Sequence, residues 1–122
     1  MKIWKILFIS LFVCLFPSCQ KDQFGYDKKV YIPAAGGEIV VSGNVPVQNL
    51  SILDYYGEGN HSQNTLDEPE IHTSYLWLTA KTVPYSTSMT LVAEPNTSGK
   101  SRTLYVYGAI RNGHTNIKVI QE

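Results

Sequence analysis

Apolar residues in the last third of the chain recur at every second position: Met89, Leu91 and Ala93, then Leu104 and Val106, then Ile117 and Val119. Successive side chains of a strand point to opposite faces, so this period builds half-buried β-structure and does not fit a helix, whose apolar positions recur every three to four residues. Short β-branched and aromatic runs separated by Gly, Pro, Asn and Ser clusters extend the pattern back to Lys28. No segment in between shows helical periodicity. The runs predict an all-β sandwich of about seven antiparallel strands, over residues 28–33, 37–42, 50–56, 75–80, 88–94, 102–108 and 115–121. The breakers are of the right chemistry: Gly36-Gly37 can take positive φ, Pro95-Asn96 opens a loop, and Asn112-Gly113 is a hairpin signal. Thr103, Tyr105, Tyr107, Lys118 and Ile120 fall on the face opposite the core positions.

The first part of the chain has a different pattern. Lys2 and Lys5 flank the start of an apolar run of eleven residues, 6–16. At ~1.5 Å per residue a helix of that length covers roughly half of a ~30 Å hydrocarbon core, so the run reads as a secretory signal and not as a membrane span. Leu15-Phe16-Pro17-Ser18-Cys19 resembles a bacterial lipoprotein box, which implies cleavage after Ser18 and lipidation of Cys19. Phe16 and Pro17 depart from its commonest form, and the alternatives are a plain signal peptide or an uncleaved anchor. Cys14 lies in the apolar run, so cleavage leaves Cys19 as the sole cysteine and excludes an intrachain disulfide. Residues 28–122 must then be held by their core alone, with residues 19–27 as lipidated cysteine and tether.

Charge removes one class of partner. Ten Lys and Arg balance ten Asp and Glu, 16% of residues are charged, and no long run of one sign occurs, so the footprint of a nucleic-acid binder is missing. Lys2 and Lys5 leave with residues 1–18, and eight basic residues then face ten acidic ones, a net charge of −2. A hydrophobic content of 43% is enough to fold one domain.

Asn96-Thr97-Ser98-Gly99-Lys100-Ser101-Arg102, the strand 103–107 and the closing Thr115-Asn116-Ile117-Lys118-Val119-Ile120-Gln121 resemble the end of a Bacteroidetes-associated carbohydrate-binding (BACON) domain. Ala35-Gly36-Gly37-Glu38, Ser42-Gly43-Asn44 and Trp77-Leu78-Thr79 fit in the same order, so the resemblance covers nearly all of residues 28–122. Val45-Pro46-Val47 stands where the family often has a Trp, and the stretch 57–74 is longer than usual. The resemblance implies an immunoglobulin-like β-sandwich in a surface or secreted protein, with carbohydrate or mucin binding proposed for the family and a spacer role for some members. Gln20-Lys21-Asp22-Gln23 also resembles the signal that sends some lipoproteins of Bacteroidetes to the outer face of the outer membrane. The expectation is a lipid anchor in the outer membrane at the cell surface, with the periplasmic face as the alternative.

Seven alternating strands place loops 43–49, 81–87 and 109–114 at the end where the chain arrives, and loops 34–36, 57–74 and 95–101 at the other. A tether of eight residues, 20–27, reaches at most about 28 Å. The eighteen-residue connection 57–74 is unusual in a compact domain: it is functional, disordered, or hides a strand, and one missed strand would reverse the parity downstream. Tyr55, Tyr56, Tyr75 and Trp77 bracket it, and His61 and Asn64 lie within it. Aromatic faces that stack on sugar C–H surfaces, with amides that meet hydroxyls, make these six the candidate glycan-binding residues. A strand Trp is more often a core residue, and alternation turns one of Tyr55 and Tyr56 inward. Tyr105, Tyr107 and Ile120 form a candidate protein-contact face, and Arg102 is expected to pair structurally near the Asn96 turn.

Catalysis has little to stand on. Glu68 and Glu70 flank Pro69 in a polar stretch, His61, His72 and His114 share no ligand spacing, and no nucleophile elbow, zinc-protease or phosphate-loop motif occurs. The sequence therefore predicts a non-catalytic lipoprotein without cofactor or metal that binds carbohydrate or mucin. The alternative is a structural or assembly lipoprotein that binds a protein partner through its sheet edge or tyrosine face.

Overall fold

The computed structural model describes residues 20–62 and 70–122. The expected signal segment, Cys19 and Asn64 lie outside the described residues. The described residues form nine strands: β1 (Lys29–Ile32), β2 (Gly37–Ser42), β3 (Asn49–Leu53), β4 (Gly59–His61), β5 (Ile71–Tyr75), β6 (Leu78–Thr82), β7 (Ser88–Ala93), β8 (Arg102–Ile110) and β9 (Gly113–Gln121). They form a five-stranded sheet in the order β1-β9-β8-β3-β4 and a four-stranded sheet in the order β2-β7-β6-β5. The two pack face to face as an all-β sandwich of the immunoglobulin-like kind, with β3 against β5 and β6.

The period-two pattern decides which face is inside. All seven apolar positions named from it are buried, and Leu50 and Ile52 join them from β3, Val41 from β2, and Leu78 and Ala80 from β6. Each fully buried Leu, Ile or Val side chain contributes about 1.5–3 kcal/mol of transfer free energy. Thr103, Tyr105, Tyr107, Lys118 and Ile120 alternate with them and remain partly exposed on the outer face of the five-stranded sheet.

Three expectations change. First, there are nine strands among the described residues, because the connection 57–74 contains β4 and most of β5. Two added strands leave the parity of everything downstream intact but divide the connection between both ends. Its first turn, 54–58, stays at the end away from Gln20, whereas His61, where β4 ends, and Ile71, where β5 begins, lie at the end near Gln20. Second, the strand expected at 75–80 is broken by a two-residue turn at Leu76 and Trp77, since Tyr75 pairs with Leu78. No Gly or Pro marks that turn. Leu76 itself takes φ 53°, which costs a non-glycine residue about 1–2 kcal/mol. Third, not every pair is antiparallel: β1 runs parallel to β9 in the register Lys29 to Lys118 through Ile32 to Gln121.

Residues 20–28 are folded onto the sandwich, not extended. The Asp22 amide donates to the Tyr26 carbonyl at 2.8 Å, and Lys28 donates to the Gln20 carbonyl at 3.1 Å. Asp22 Oδ1 accepts the Phe24 and Tyr26 amides at 2.8 and 3.1 Å, while its Oδ2 accepts the hydroxyl of buried Thr115. Tyr26 is buried, with its hydroxyl 2.5 Å from the Val45 carbonyl. A Cβ on Gly43 would lie 2.3 Å from its ring, so only glycine permits this seat.

The opposite end is closed by a polar network. Gln121, 0% exposed, donates from Nε2 to the Pro33 and Glu94 carbonyls at 3.1 and 2.7 Å, and its Oε1 accepts Arg102 Nε at 2.8 Å. Arg102 Nη2 donates to the Glu94 and Pro95 carbonyls, both at 3.2 Å. Asn96 donates from Nδ2 to the Lys100 and Glu122 carbonyls at 2.7 and 3.0 Å. The network ties the β1–β2 turn, the β7–β8 loop and the last strand together, and Arg102 pairs beside the Asn96 turn as its sequence position suggests.

Gln121→Leu keeps the volume but strands the Arg102 Nε–H and removes the amide's bonds to the Pro33 and Glu94 carbonyls, and is expected to lose about 3 kcal/mol, read as a lower urea midpoint at unchanged slope. Tyr26 gives a pH prediction. Burial first, and the Asp22 carboxylate second, raise its hydroxyl above the ordinary 10.0. The neutral phenol is the form the folded state favours, so its contribution is complete below pH 10 and is lost as pH rises through the raised value. The melting-temperature advantage over Tyr26→Phe should therefore hold to about pH 10 and shrink above it.

Candidate functional site

Four turns share the end away from Gln20: β1–β2, β3–β4, β5–β6 and β7–β8. The β3–β4 turn carries two of the candidate tyrosines. Asp54 and Glu58 close it, with the Asp54 amide donating to the Glu58 carbonyl at 2.8 Å and the Gly57 amide to the Asp54 carbonyl at 3.1 Å. Gly57 takes φ 85°, which completes a three-residue hairpin loop of the kind built on a type I turn followed by a left-handed residue. The Asp54 carboxylate holds the loop from inside, with Oδ1 accepting the Tyr56 and Glu58 amides at 2.8 and 3.0 Å.

Tyr55 and Tyr56 stand on the tip of this loop, 80% and 86% exposed. Their ring centroids are 5.4 Å apart and the ring planes lie at 88°, an edge-to-face pair. Alternation does not turn one of them inward, because β3 ends at Leu53 and both residues belong to the turn. The neighbouring β5–β6 turn leans on the same carboxylate, with the Tyr75 hydroxyl 3.4 Å from Asp54 Oδ2. Burial, then the Asp54 and Glu58 carboxylates and the Asp54 contact, hold the Tyr75 hydroxyl above its ordinary value. Leu76 follows, 68% exposed, so two adjacent turns present two tyrosines and a leucine to solvent.

The other candidates from the sequence separate. Trp77 is a core residue, 8% exposed, and the Arg102 guanidinium lies 4.8 Å from its ring centroid. Its face is occupied, and it acts as a support for the β5–β6 turn. A shallow depression of about 370 Å³ bounded by Leu76, Trp77, Glu94, Pro95 and Arg102 lies there. His61 is at the far end of β4, away from Tyr55 and Tyr56. It pairs with Ser51 across the strand, with Ser51 Oγ 2.6 Å from His61 Nδ1, on the outer face that also carries Tyr107. Tyr105, Tyr107 and Ile120 are on that outer face, as alternation requires, and Tyr107 lies near His114, with ring centroids 6.1 Å apart.

The sequence reading missed a concavity of about 630 Å³ on the same outer face. Tyr105, Asn116 and Lys118 form its floor, and Gln20, Asp22, Gln23, Phe24 and Lys28 form a wall. Residues 20–27 were expected to be a tether, so no pattern pointed to them as part of a site. Asp22-x-Phe24-Gly25-Tyr26 does carry a local turn signal, an Asp able to cap the amides two and four residues on. No group of three or more His, Cys, Asp or Glu placed to hold a metal occurs among the described residues.

No family model matches the chain, and no curated protein matches it. Among solved structures, the NMR structure of a protein from Bacteroides thetaiotaomicron matches with a TM-score of 0.55 over 87% of this chain and 80% of that one, at 18% identity. At that identity the likeness establishes a shared fold.

If Asp54 fixes the tyrosine tip, Asp54→Ala should free the Tyr56 and Glu58 amides for hydrogen exchange while the β8–β9 ladder stays protected. The expected loss of stability is about 1–2 kcal/mol, the net value of two exposed hydrogen bonds.

Proposed function

We propose that this chain is a non-catalytic, BACON-like cell-envelope lipoprotein, anchored in the outer membrane through Cys19, that binds glycan or mucin at the cell surface through the Tyr55–Tyr56 turn. The observation that carries the reading is the turn itself. Two tyrosines that are more than three-quarters exposed add nothing to the core, yet Asp54 and Gly57 hold their backbone in one conformation. A ring fixed before binding loses little further freedom on meeting a ligand, which is the condition for useful affinity from a small contact. The tip faces away from Gln20, and therefore away from an anchor at Cys19.

The ring geometry narrows the ligand. A broad, flat polysaccharide surface is matched by coplanar rings in a row, whereas planes at 88° form a corner that accepts one pyranose, stacked on one ring with its rim against the other. With both Asp54 oxygens engaged within the turns, the Glu58 carboxylate and the tyrosine hydroxyls are the neighbouring groups that accept hydrogen bonds from sugar hydroxyls. The reading is of binding only, to single residues or chain ends of a soluble glycan.

A glycan and mucin array supplies the ligand, and calorimetry with the Tyr55→Ala, Tyr56→Ala double variant tests the site. The variant should fold as the parent does, because neither ring is buried, and should lose at least about tenfold in Kd, equivalent to 1.4 kcal/mol. Insoluble cellulose should not retain either protein. Full affinity in the variant would move the site off this turn, and silence across the array would favour the protein-partner reading, for which the uncovered outer face with Tyr105, Tyr107 and Ile120 is the surface.

A further inference from the structure

We propose that the groove on the outer face of the five-stranded sheet is a second and separate binding site, one that takes a carboxylate-bearing pyranose. It does not depend on the Tyr55–Tyr56 site: the two lie on different surfaces, and this one is built by residues 20–29 and the central strands β8 and β9.

Charge is the first reason. Lys29 and Lys118 are direct partners in the β1–β9 register, a like-charge pairing that costs stability in any sheet. Lys28 adjoins them, and all three line the groove. None of the three has a carboxylate partner among the described residues, where the lysine ion pair is Lys21 with Asp27. The lining carboxylate, Asp22, has both oxygens committed to the wall, to two backbone amides and to Thr115. Three lysines against one aspartate leave an excess of two positive charges in the groove. A chain with as many acidic as basic residues overall has no compositional reason to concentrate cations there, and an anion bridging Lys29 and Lys118 would relieve the repulsion between them.

Shape and the remaining lining select a sugar over a bare ion. At about 630 Å³ the groove is of the size that holds small organic ligands, far larger than an inorganic anion requires. Phe24 on the wall and Tyr105 on the floor offer apolar faces to C–H groups, and Gln23 and Asn116 offer amides that both donate and accept toward hydroxyls. The wall is preformed, since Tyr26 and the Asp22 carboxylate pin residues 20–28 before any ligand arrives.

Calorimetry with methyl α-galacturonoside, its neutral methyl ester, methyl α-glucoside and inorganic phosphate tests the assignment. The uronoside should bind, the ester and the glucoside should be at least about tenfold weaker, and raising NaCl from about 50 to 500 mM should weaken the uronoside severalfold. Lys29→Gln and Lys118→Gln should each reduce uronoside affinity about tenfold, with melting temperature unchanged or raised because a like-charge pair is removed. The Tyr55→Ala, Tyr56→Ala variant should bind the uronoside as the parent does, which keeps this outcome separate from the fate of the distal site. Phosphate binding as tight as the uronoside would show a general anion site and overturn the assignment. Equal binding of acid and ester, no binding of the uronoside, or lysine variants with parental affinity would each overturn it as well.

Discussion

The amide of Gln121 lies in the dry interior at the end of the last strand, and its hydrogen bonds reach three separate parts of the chain: the β1–β2 turn, the β7–β8 loop and the Arg102 side chain. A buried primary amide is tolerated only when it is satisfied, and this one converts that requirement into a fastening for the whole end of the sandwich. Its consequences run outward. Arg102, oriented by Gln121, caps the ring of Trp77; Trp77 seats the β5–β6 turn; and Tyr75, next in that turn, meets Asp54, the residue that holds Tyr55 and Tyr56. The exposed tip thus stands on a succession of contacts that begins in the core. Four residues of the segments that carry the family resemblance, Asn96, Arg102, Gln121 and Trp77, serve this closure, and Asn96, Gln121 and Trp77 are buried.

The two ends of the molecule are held by different means. Around Gln121 the fastening is a neutral amide with an arginine. Near Gln20 it is an aspartate that caps its own turn and a buried tyrosine seated on the bare Cα of Gly43. In the proposed lipoprotein this second fastening joins the sandwich to its anchor without a flexible leash, and the tyrosine tip is held at the other end. Alkaline pH acts on the Gln20 end through Tyr26.

The sandwich was legible because its core positions repeat with the period of a strand, and Leu91, Val106 and Ile117 are buried where that period puts them. The stretch 57–74 was not. Strand β4 is Gly-Asn-His, without a β-branched residue, and is a strand through its pairing with β3, so tertiary contact overrides local preference there. Ile71, Thr73 and Tyr75 do alternate, but the turn that ends β5 falls on Leu76-Trp77, residues that favour strands, and only a positive φ at Leu76 makes it. For the site, Tyr55 and Tyr56 could be read from exposure-prone aromatics beside Asp-x-x-Gly. Trp77 separates from them as a tryptophan expected in a strand, where core placement is the commoner outcome, and it is buried with Arg102 of another strand over its ring. His61 moved to the sheet face for the same reason that β4 was missed, and the groove lined by Phe24 needed a contact between Asp22 and Thr115 across most of the chain.

The central claim is that ligand engages the rigid turn at the end opposite Gln20. Chemical-shift mapping of the ¹⁵N-labelled protein with a neutral glycan drawn from the array tests it most directly. The account predicts that the largest, saturable shifts fall on the amides of Tyr55 to Glu58 and on Leu76, with the amides of Lys29, Tyr105 and Lys118 unmoved. Shifts confined to the outer sheet face, or none at the turn at concentrations that saturate binding, would contradict it.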